Sequence, residues 1–442
     1  MLTFGDPEAQ NLAQEHHSLA CRPDGGAPRP GAWTYHVWED KMLQENLPYY
    51  PEPREHPFHP SKIFATYRKE EPVVKARLWN GNSVWLATRY DDVRRVLTEY
   101  ETFSQVPGPG YPTACPGRHD TVMEEVPTFV RMDPPRHTVQ RRAVLGDFTM
   151  KSVSALRPRM TEIVDGLLNR MEEKGFPADL STDFAQPLPT TIITEYLGLP
   201  LKDHAFIHQK SAEKLNLEVD GKVARQAQLD LLAYLERELL KKADQPEADD
   251  IMARLLRNQV QTGEMSLGEA VGTIELLVTA GHETTANMIA LGTLVLLQYP
   301  EEMEKLRNDR SLMGGAINEL LRFLTINQNV GGRLCVKDTE LGGKQIRAGE
   351  GVFALLQSAD RDETVFADPD KFDITRSPNN HVAFGFGVHQ CLGLSLAKME
   401  MDVAFNRLLD RFPNLKLAVP FEDLSFKHEA VVFGVRSLPV TW

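Results

Sequence analysis

Residues 384–393 read Phe-Gly-Phe-Gly-Val-His-Gln-Cys-Leu-Gly, a glycine-rich loop that ends on a single cysteine. After Cys391 the apolar residues Leu392, Leu396, Met399, Val403 and Leu408 recur at helical spacing, so an amphipathic helix begins at or just after the sulfur. A chain built around this segment presents one thiol at a helix N-terminus. Unpaired N–H groups and the helix dipole there lower its pKa and favour the thiolate. Gly385, Gly387 and Gly393 leave room for a flat, bulky group to lie against the backbone.

A thiolate offered to a planar ligand is what haem iron with a cysteine axial ligand requires. The same residues also suit a small, inert core cysteine. A dinucleotide loop fits less well, because Gly385-Phe-Gly387-Val-His-Gln lacks the third glycine. Local chemistry leaves the haem and core readings both open.

A chain of 442 residues is long enough to enclose a cofactor in its core. Its net charge of −13 argues against nucleic acid as a partner, since phosphate binding needs a basic surface. Cys21, Cys115, Cys335 and Cys391 form no CxxC pair, so neither a zinc ribbon nor a disulfide framework is expected. That pattern fits a reducing, cytoplasmic setting. The first thirty residues carry Asp6, Glu8 and Glu15 and no apolar run after a basic start, unlike a signal peptide. Residues 271–297 are apolar enough to span a bilayer, but His282-Glu-Thr-Thr-Ala-Asn287 sits mid-segment, where charge is costly. A buried helix in a soluble protein, with no membrane partner, is the expectation.

Nine of the 29 prolines fall in the first 60 residues, so residues 1–55 read as an extended arm, aromatic in its later part and with 1–28 mobile. Residues 56–442 read as one domain. A hairpin is expected at 73–79 and 83–88, turned by Asn80-Gly81. Residues 104–128, with five prolines and three glycines, read as a long functional loop. Helices are expected over 137–145, 152–174, 184–197, 203–214, 222–243, 248–260, 267–297, 300–308 and 311–324. Short strands are expected within 334–357. The fold class is mainly α with a minor β-sheet.

Within the long helix, Ala280-Gly-His-Glu-Thr-Thr285 places an acid and a hydroxyl in apolar surroundings. Gly281 weakens the helix ladder locally and lets a ligand approach the backbone. Glu283 and Thr284 could relay protons; a threonine bonded to its i−4 carbonyl and a salt-bridged glutamate would serve the pattern equally well. A zinc protease is excluded, because Ala286 stands four residues after His282. Glu319 and Arg322, three apart, share a helix face and alone read as a surface pair. His137 and Arg141 also share a face and could grip a carboxylate, as could Arg333 and His389.

Together, these segments resemble the cytochrome P450 family from about residue 57 onward. Phe384-x-x-Gly387-x-x-x-Cys391-x-Gly393 matches its cysteine loop, Ala280-Gly281-x-Glu283-Thr284 its oxygen-activation motif, and Glu319-x-x-Arg322 its helix pair. Arg376 matches the arginine completing that structural triad, and Asp133-Pro-Pro-x-His137-x-x-x-Arg141 with Arg333 matches its propionate contacts. The resemblance implies a triangular-prism fold with a long central helix over haem b, and Cys391 as axial ligand to the iron. It implies proton delivery by Glu283 and Thr284, and cofactor contacts from His137, Arg141, Arg333 and His389. Substrate contacts are implied in 104–128, 206–225, 276–284, 326–332 and 428–434.

Within the family, a monooxygenase that takes electrons from a ferredoxin and its reductase and oxidises a small organic molecule of secondary-metabolite size is the first reading. Arg136, Arg141, Arg142 and Lys398 would then form a local basic patch for the ferredoxin. The second is an NADH-dependent nitric-oxide reductase, since 127–135 and 357–363 are similar to the fungal enzymes of that kind. Those enzymes carry asparagine and alanine in place of His282 and Glu283, and basic residues where this chain has uncharged Thr102–Gly110. The third is a haem sensor, which has no need of both relay residues. The departures favour the monooxygenase, expected as a monomer.

Overall fold

The structure, a computed structural model, describes residues 47–115, 122–123, 128–215, 220–328, 330–428 and 430–442. Residues 48–442 make one unit, whose principal helices are α1 (Ile63–Glu70), α2 (Tyr90–Thr98), α3 (Arg136–Leu145), α4 (Arg157–Lys174), α5 (Pro187–Leu197), α6 (His204–Leu215), α7 (Gly221–Lys241), α8 (Leu267–Gln298), α9 (Pro300–Asn308), α10 (Met313–Leu324) and α11 (Leu394–Arg411). Five strands, β1 (Val73–Arg77), β2 (Ser83–Ala87), β3 (Phe103–Ser104), β4 (Gly332–Cys335) and β5 (Gly351–Ala354), form a sheet in the order β1-β2-β5-β4-β3.

Helix α8 organises the core. Ser266 starts it with a capping box: its hydroxyl accepts from Glu269 N at 3.2 Å, and the Glu269 carboxylate accepts from Ser266 N at 2.9 Å. Beyond the cap the helix is apolar on nearly every side, which suits burial among other helices rather than a surface position. It packs on α5, α7 and α11. A Cβ on Gly292 would lie 2.7 Å from the Phe405 ring, so this glycine sets how closely α8 crosses α11. No helix among the described residues is long and apolar enough to cross a membrane.

The hairpin forms as the sequence indicates: Val73 pairs with Ala87 and Arg77 with Ser83, and Gly81 adopts φ +81° in the turn. Residues 48–55 lie against the domain. Tyr50 is 1% exposed, its ring 4.9 Å from that of Phe353, and Arg54 donates to the carbonyls of Leu324 and Thr325 at 2.9 and 2.8 Å. The expected arm over 1–46 and parts of the 104–128 loop (116–121 and 124–127) lie outside the described residues.

Three expectations are corrected. The 152–174 helix divides into Met150–Ser154 and α4, with Pro158, which has no N–H to donate, in the first turn of the second piece. The 248–260 helix becomes Ile251–Leu255 followed by a π-helical turn over Leu256–Val260. Helices α1 and α2 were not anticipated, being short and rich in charge.

Candidate active site

The cysteine loop is held by backbone bonds. Cys391 N donates to Phe384 O at 2.9 Å and Gly385 N to Val382 O at 2.7 Å, while Val382 N donates to the buried Asp360 carboxylate at 2.7 Å. Gly385 and Gly387 sit at φ +69° and +73°, which other residues rarely adopt. A Cβ on Gly387 would fall 2.8 Å from Leu97 O, so this glycine lets the loop lie on α2 rather than making room for a ligand. A Cβ on Gly281 would meet Ile193 at 3.1 Å; its smallness serves packing on α5, and α8 stays helical through it.

Cys391 lines a cavity of about 280 Å³ and is reached from it. Burial in the surrounding protein pushes its thiol above the ordinary value, opposed by the Gly393 backbone bond and the charge of Arg141. The expectation of a lowered pKa is thereby corrected. The first helical residue is Leu394, three positions on, and desolvation outweighs the donors.

Behind the loop lies a buried charge cluster. Arg322 makes a two-pronged bond to Glu319, both contacts 2.8 Å, with both side chains 0% exposed. The pair is therefore an interior one and not a surface one. Arg376 Nε lies 3.2 Å from both Glu319 oxygens, and Asn379 and the Asp373 backbone also donate to that carboxylate. The remaining guanidinium hydrogens of Arg322 go to the carbonyls of Asp360, Pro369 and Lys371. The Arg322 guanidinium and both Glu319 oxygens are fully bonded, which a buried ion pair requires, and the cluster pins the chain that leads into the cysteine loop.

Four other expected residues line or adjoin the same cavity. Arg141 and Arg333 stand in its wall with His389, and the His137 ring lies 4.5 Å from that of His389. Arg333 is 4% exposed, donates to Gly332 O, and has its pKa pushed down to about 10 by burial. Burial, then the charge of Arg333, holds His389 down at about 3; burial and Arg141 lower His137. Among the described residues His389 Nε2 has no hydrogen-bond partner. The His137 ring has a backbone approach from Val388 but no bond of good geometry. A buried cation and orphaned imidazoles around one cavity edge are costly unless an anion completes them. Haem, with two carboxylates and a metal for the thiol, fits this set.

Thr284 lines both the cysteine cavity and an adjoining one of about 200 Å³ that Glu283 also lines. The Thr284 hydroxyl donates to Ala280 O at 2.9 Å. Glu283 is not free: Lys427 Nζ lies 2.8 Å from its Oε1, and Asn287 Nδ2 donates to the same oxygen at 3.0 Å. Burial would raise this carboxyl, yet the net effect of Lys427, His282 and the two hydrogen bonds holds it at about 2. The adjoining cavity is walled by Val130, Leu232, Leu276, Val431 and Val432, with Gln228 and Asn327 among them, in or near the segments expected to touch substrate.

Lys427 and Asn287 were missed in the sequence. Lys427 is one residue before the expected 428–434 segment, and its N–H bonds Gly434 O at 2.8 Å. A Cβ on Gly434 would lie 2.0 Å from Asn287 Oδ1, so only glycine lets this segment reach α8. Of the expected basic patch, Arg136 pairs with Glu269, Arg141 donates to Gln390 O, and Lys398 lies over the Phe384 ring. Arg142 is exposed.

Residues 221–432 match the family model for Cytochrome P450. The chain is 43% identical to Cytochrome P450-SU2 of Streptomyces griseolus, over 87% of its own length and 94% of that protein. It is 38% identical to the 20-oxo-5-O-mycaminosyltylactone 23-monooxygenase of Streptomyces fradiae, over 89% and 92%. The crystal structure of the mycinamicin VIII C21 methyl hydroxylase MycCI from Micromonospora griseorubida, bound to mycinamicin VIII, superposes with TM-score 0.85 at 33% identity, covering 90% of this chain and all of that one. With an identity that high carried over almost the whole of a relative, the chain belongs to the cytochrome P450 family, and it is a haem-thiolate monooxygenase, an oxidoreductase whose cofactor is haem b with its iron.

Proposed function

We propose that Cys391 is the axial thiolate of the haem iron, that Arg141, Arg333, His137 and His389 hold the propionates, and that Glu283 and Thr284 manage protons on the opposite side. The observation that carries this reading is one cavity with Cys391 and Thr284 in its wall and a buried, anionless Arg333 at its edge. When bound, the haem supplies oxygen activation, with the thiolate donating electron density to the iron. The chain supplies the surroundings. Lys427 keeps Glu283 ionised and draws its carboxylate toward the segment 426–435. Thr284, bonded to Ala280 O, turns its hydroxyl lone pairs to the cavity, where they accept a proton-bearing neighbour. The apolar wall excludes bulk water.

The substrate is an organic molecule of secondary-metabolite size, oxidised at a C–H bond next to the Thr284 side of the cavity. Apolar valines and leucines take its body, and Gln228 and Asn327 orient polar atoms. Electrons come from a ferredoxin and its reductase, on the face that carries Arg142. Residues 56–442 are the haem domain and 1–55 an extension whose last residues, 48–55, are packed into the domain's own unit; the working form is a monomer in the cytoplasm. The nitric-oxide-reductase reading is not favoured, because this chain carries an acid, Glu283, paired with Lys427 in the wall of the adjoining cavity. Screening organic ligands for a shift of the ferric Soret band, followed by product analysis with a ferredoxin and reductase, tests the reading. A hydroxylated product is expected. Rapid NADH oxidation by nitric oxide with no added reductase would overturn it.

A further inference from the structure

Four charged side chains, Arg131, Lys214, Glu275 and Glu283, line the cavity that adjoins the cysteine cavity. Three of these charges are answered inside the protein. Lys214 Nζ lies 3.0 and 3.1 Å from the two Glu275 oxygens, with side chains 6% and 7% exposed, and Thr279 donates to the same carboxylate. Glu283 has Lys427. Arg131 is the remainder. No carboxylate among the described residues is bonded to it, and its guanidinium makes one hydrogen bond, to the Tyr111 oxygen at 2.7 Å. Asp133, two positions on, accepts from the Ser104 hydroxyl and Gln105 N instead.

That one bond fixes the guanidinium in place. Tyr111 is 7% exposed, and its hydroxyl donates to Gly332 O on β4 at 3.1 Å, which leaves its oxygen to accept from Arg131 Nη1. A guanidinium carries five N–H donors in a planar fork. With one used on Tyr111, the others are left for a ligand in the cavity that Arg131 lines. Such a fork matches the two oxygens of a carboxylate.

Haem brings two carboxylates of its own, and Arg141, Arg333 and His389 stand in the wall of the cysteine cavity to receive them. Arg131 is absent from that wall and present in the adjoining one, although its charge is felt at Arg333 and His389. A phosphate monoester is a poor match, because it carries close to two charges at neutral pH and the cavity has one cation left over. We propose that the substrate is an organic acid, whose single carboxylate docks on Arg131. Its apolar body then extends toward the cysteine cavity past Val130, Ala280 and Thr284, which line both spaces. Tyr111 lines neither cavity and is a positioning residue for the guanidinium. This rests on the substrate reading above and names its chemical class.

The test uses the haem-loaded full chain and two probes that share one alkyl chain and differ in charge, dodecanoic acid and dodecanamide. Equilibrium dialysis gives the affinity for each, and the ferric Soret shift reports whether the bound chain reaches the iron. The parent should bind the acid at least roughly ten-fold more tightly than the amide, as a hydrogen bond to a charged group commonly provides. Arg131→Leu should bind the two equally. Arg131→Lys, which keeps the charge but not the fork, should retain part of the preference. Tyr111→Phe should weaken acid binding and leave amide binding unchanged, a split that a general loss of packing would not give.

Haem transfer to apomyoglobin separates the two sources of carboxylate. Arg131→Leu should lose haem at the parent's rate; a loss as fast as that of Arg333→Leu would give Arg131 to the propionates and overturn the proposal. It would equally be overturned by a parent that binds the acid no more tightly than the amide, binding of neither included, or by a preference that survives in Arg131→Leu. The thiolate-type band, expected in every variant, checks the haem assignment separately.

Discussion

The Lys427 ammonium lies 2.8 Å from the Glu283 carboxylate, joining the C-terminal segment to the middle of the central helix. The pair sets a pH signature. Glu283 is held at about 2, below its ordinary 4.5, so in the folded state it favours the ionised form. The stability this contributes is fully present above pH 4.5 and is lost as pH falls toward 2. Lys427→Met should therefore destabilise the protein by about 3 kcal/mol at neutral pH, since it strands a mostly buried charge. In denaturant titrations the gap from the parent should close as pH drops from 4.5 toward 2. Adding Glu283→Gln should restore much of the loss.

Arg333 predicts opposite effects on two states of the protein. It is buried, with no carboxylate among the described residues bonded to it, a cost that the haem propionates would offset. Arg333→Leu should make the haem-free protein more stable, because an unpaired buried charge disappears. The same variant should lose haem to apomyoglobin about ten-fold faster or more, because a charge-assisted bond is missing. Thermal melts of the haem-free protein and a haem-transfer time course check the two halves.

Glu319 and Arg322 should tolerate single changes poorly. Glu319→Gln leaves Arg322 charged at 0% exposure, which costs about 3–5 kcal/mol. Arg322→Lys should fare little better, because an ammonium cannot reproduce the fork that reaches Glu319 and the carbonyls of Asp360 and Pro369 together. Urea denaturation and the fraction of haem retained on purification would report both effects.

The regular elements around α8 were legible from periodicity because capping and apolar patterning agree with tertiary packing there. The hairpin was legible from Asn80-Gly81 for the same reason. Cys391, Glu319, Arg322, His137 and Arg333 could be named because motif spacing carries them. What spacing could not supply was environment. Glu319–Arg322 looked like a surface pair, and only the fold shows it buried. The Cys391 thiol is raised rather than lowered because burial outweighs the Gly393 backbone bond and the charge of Arg141. The glycines were read as space for a ligand, whereas Gly281 and Gly387 answer to Ile193 and to Leu97 O. Lys427 was invisible because its partner is 144 positions away, and a lone lysine beside a loop has no local signal.

The central claim is that Cys391 ligates the haem iron, and the spectrum of the reduced, carbon monoxide-bound protein tests it most directly. A thiolate ligand donates enough electron density to shift the Soret band strongly to the red. The parent should show that band. Cys391→Ser should lose it, even in preparations that still contain haem. A parent without the red-shifted band, or a serine variant that keeps it, would contradict the account.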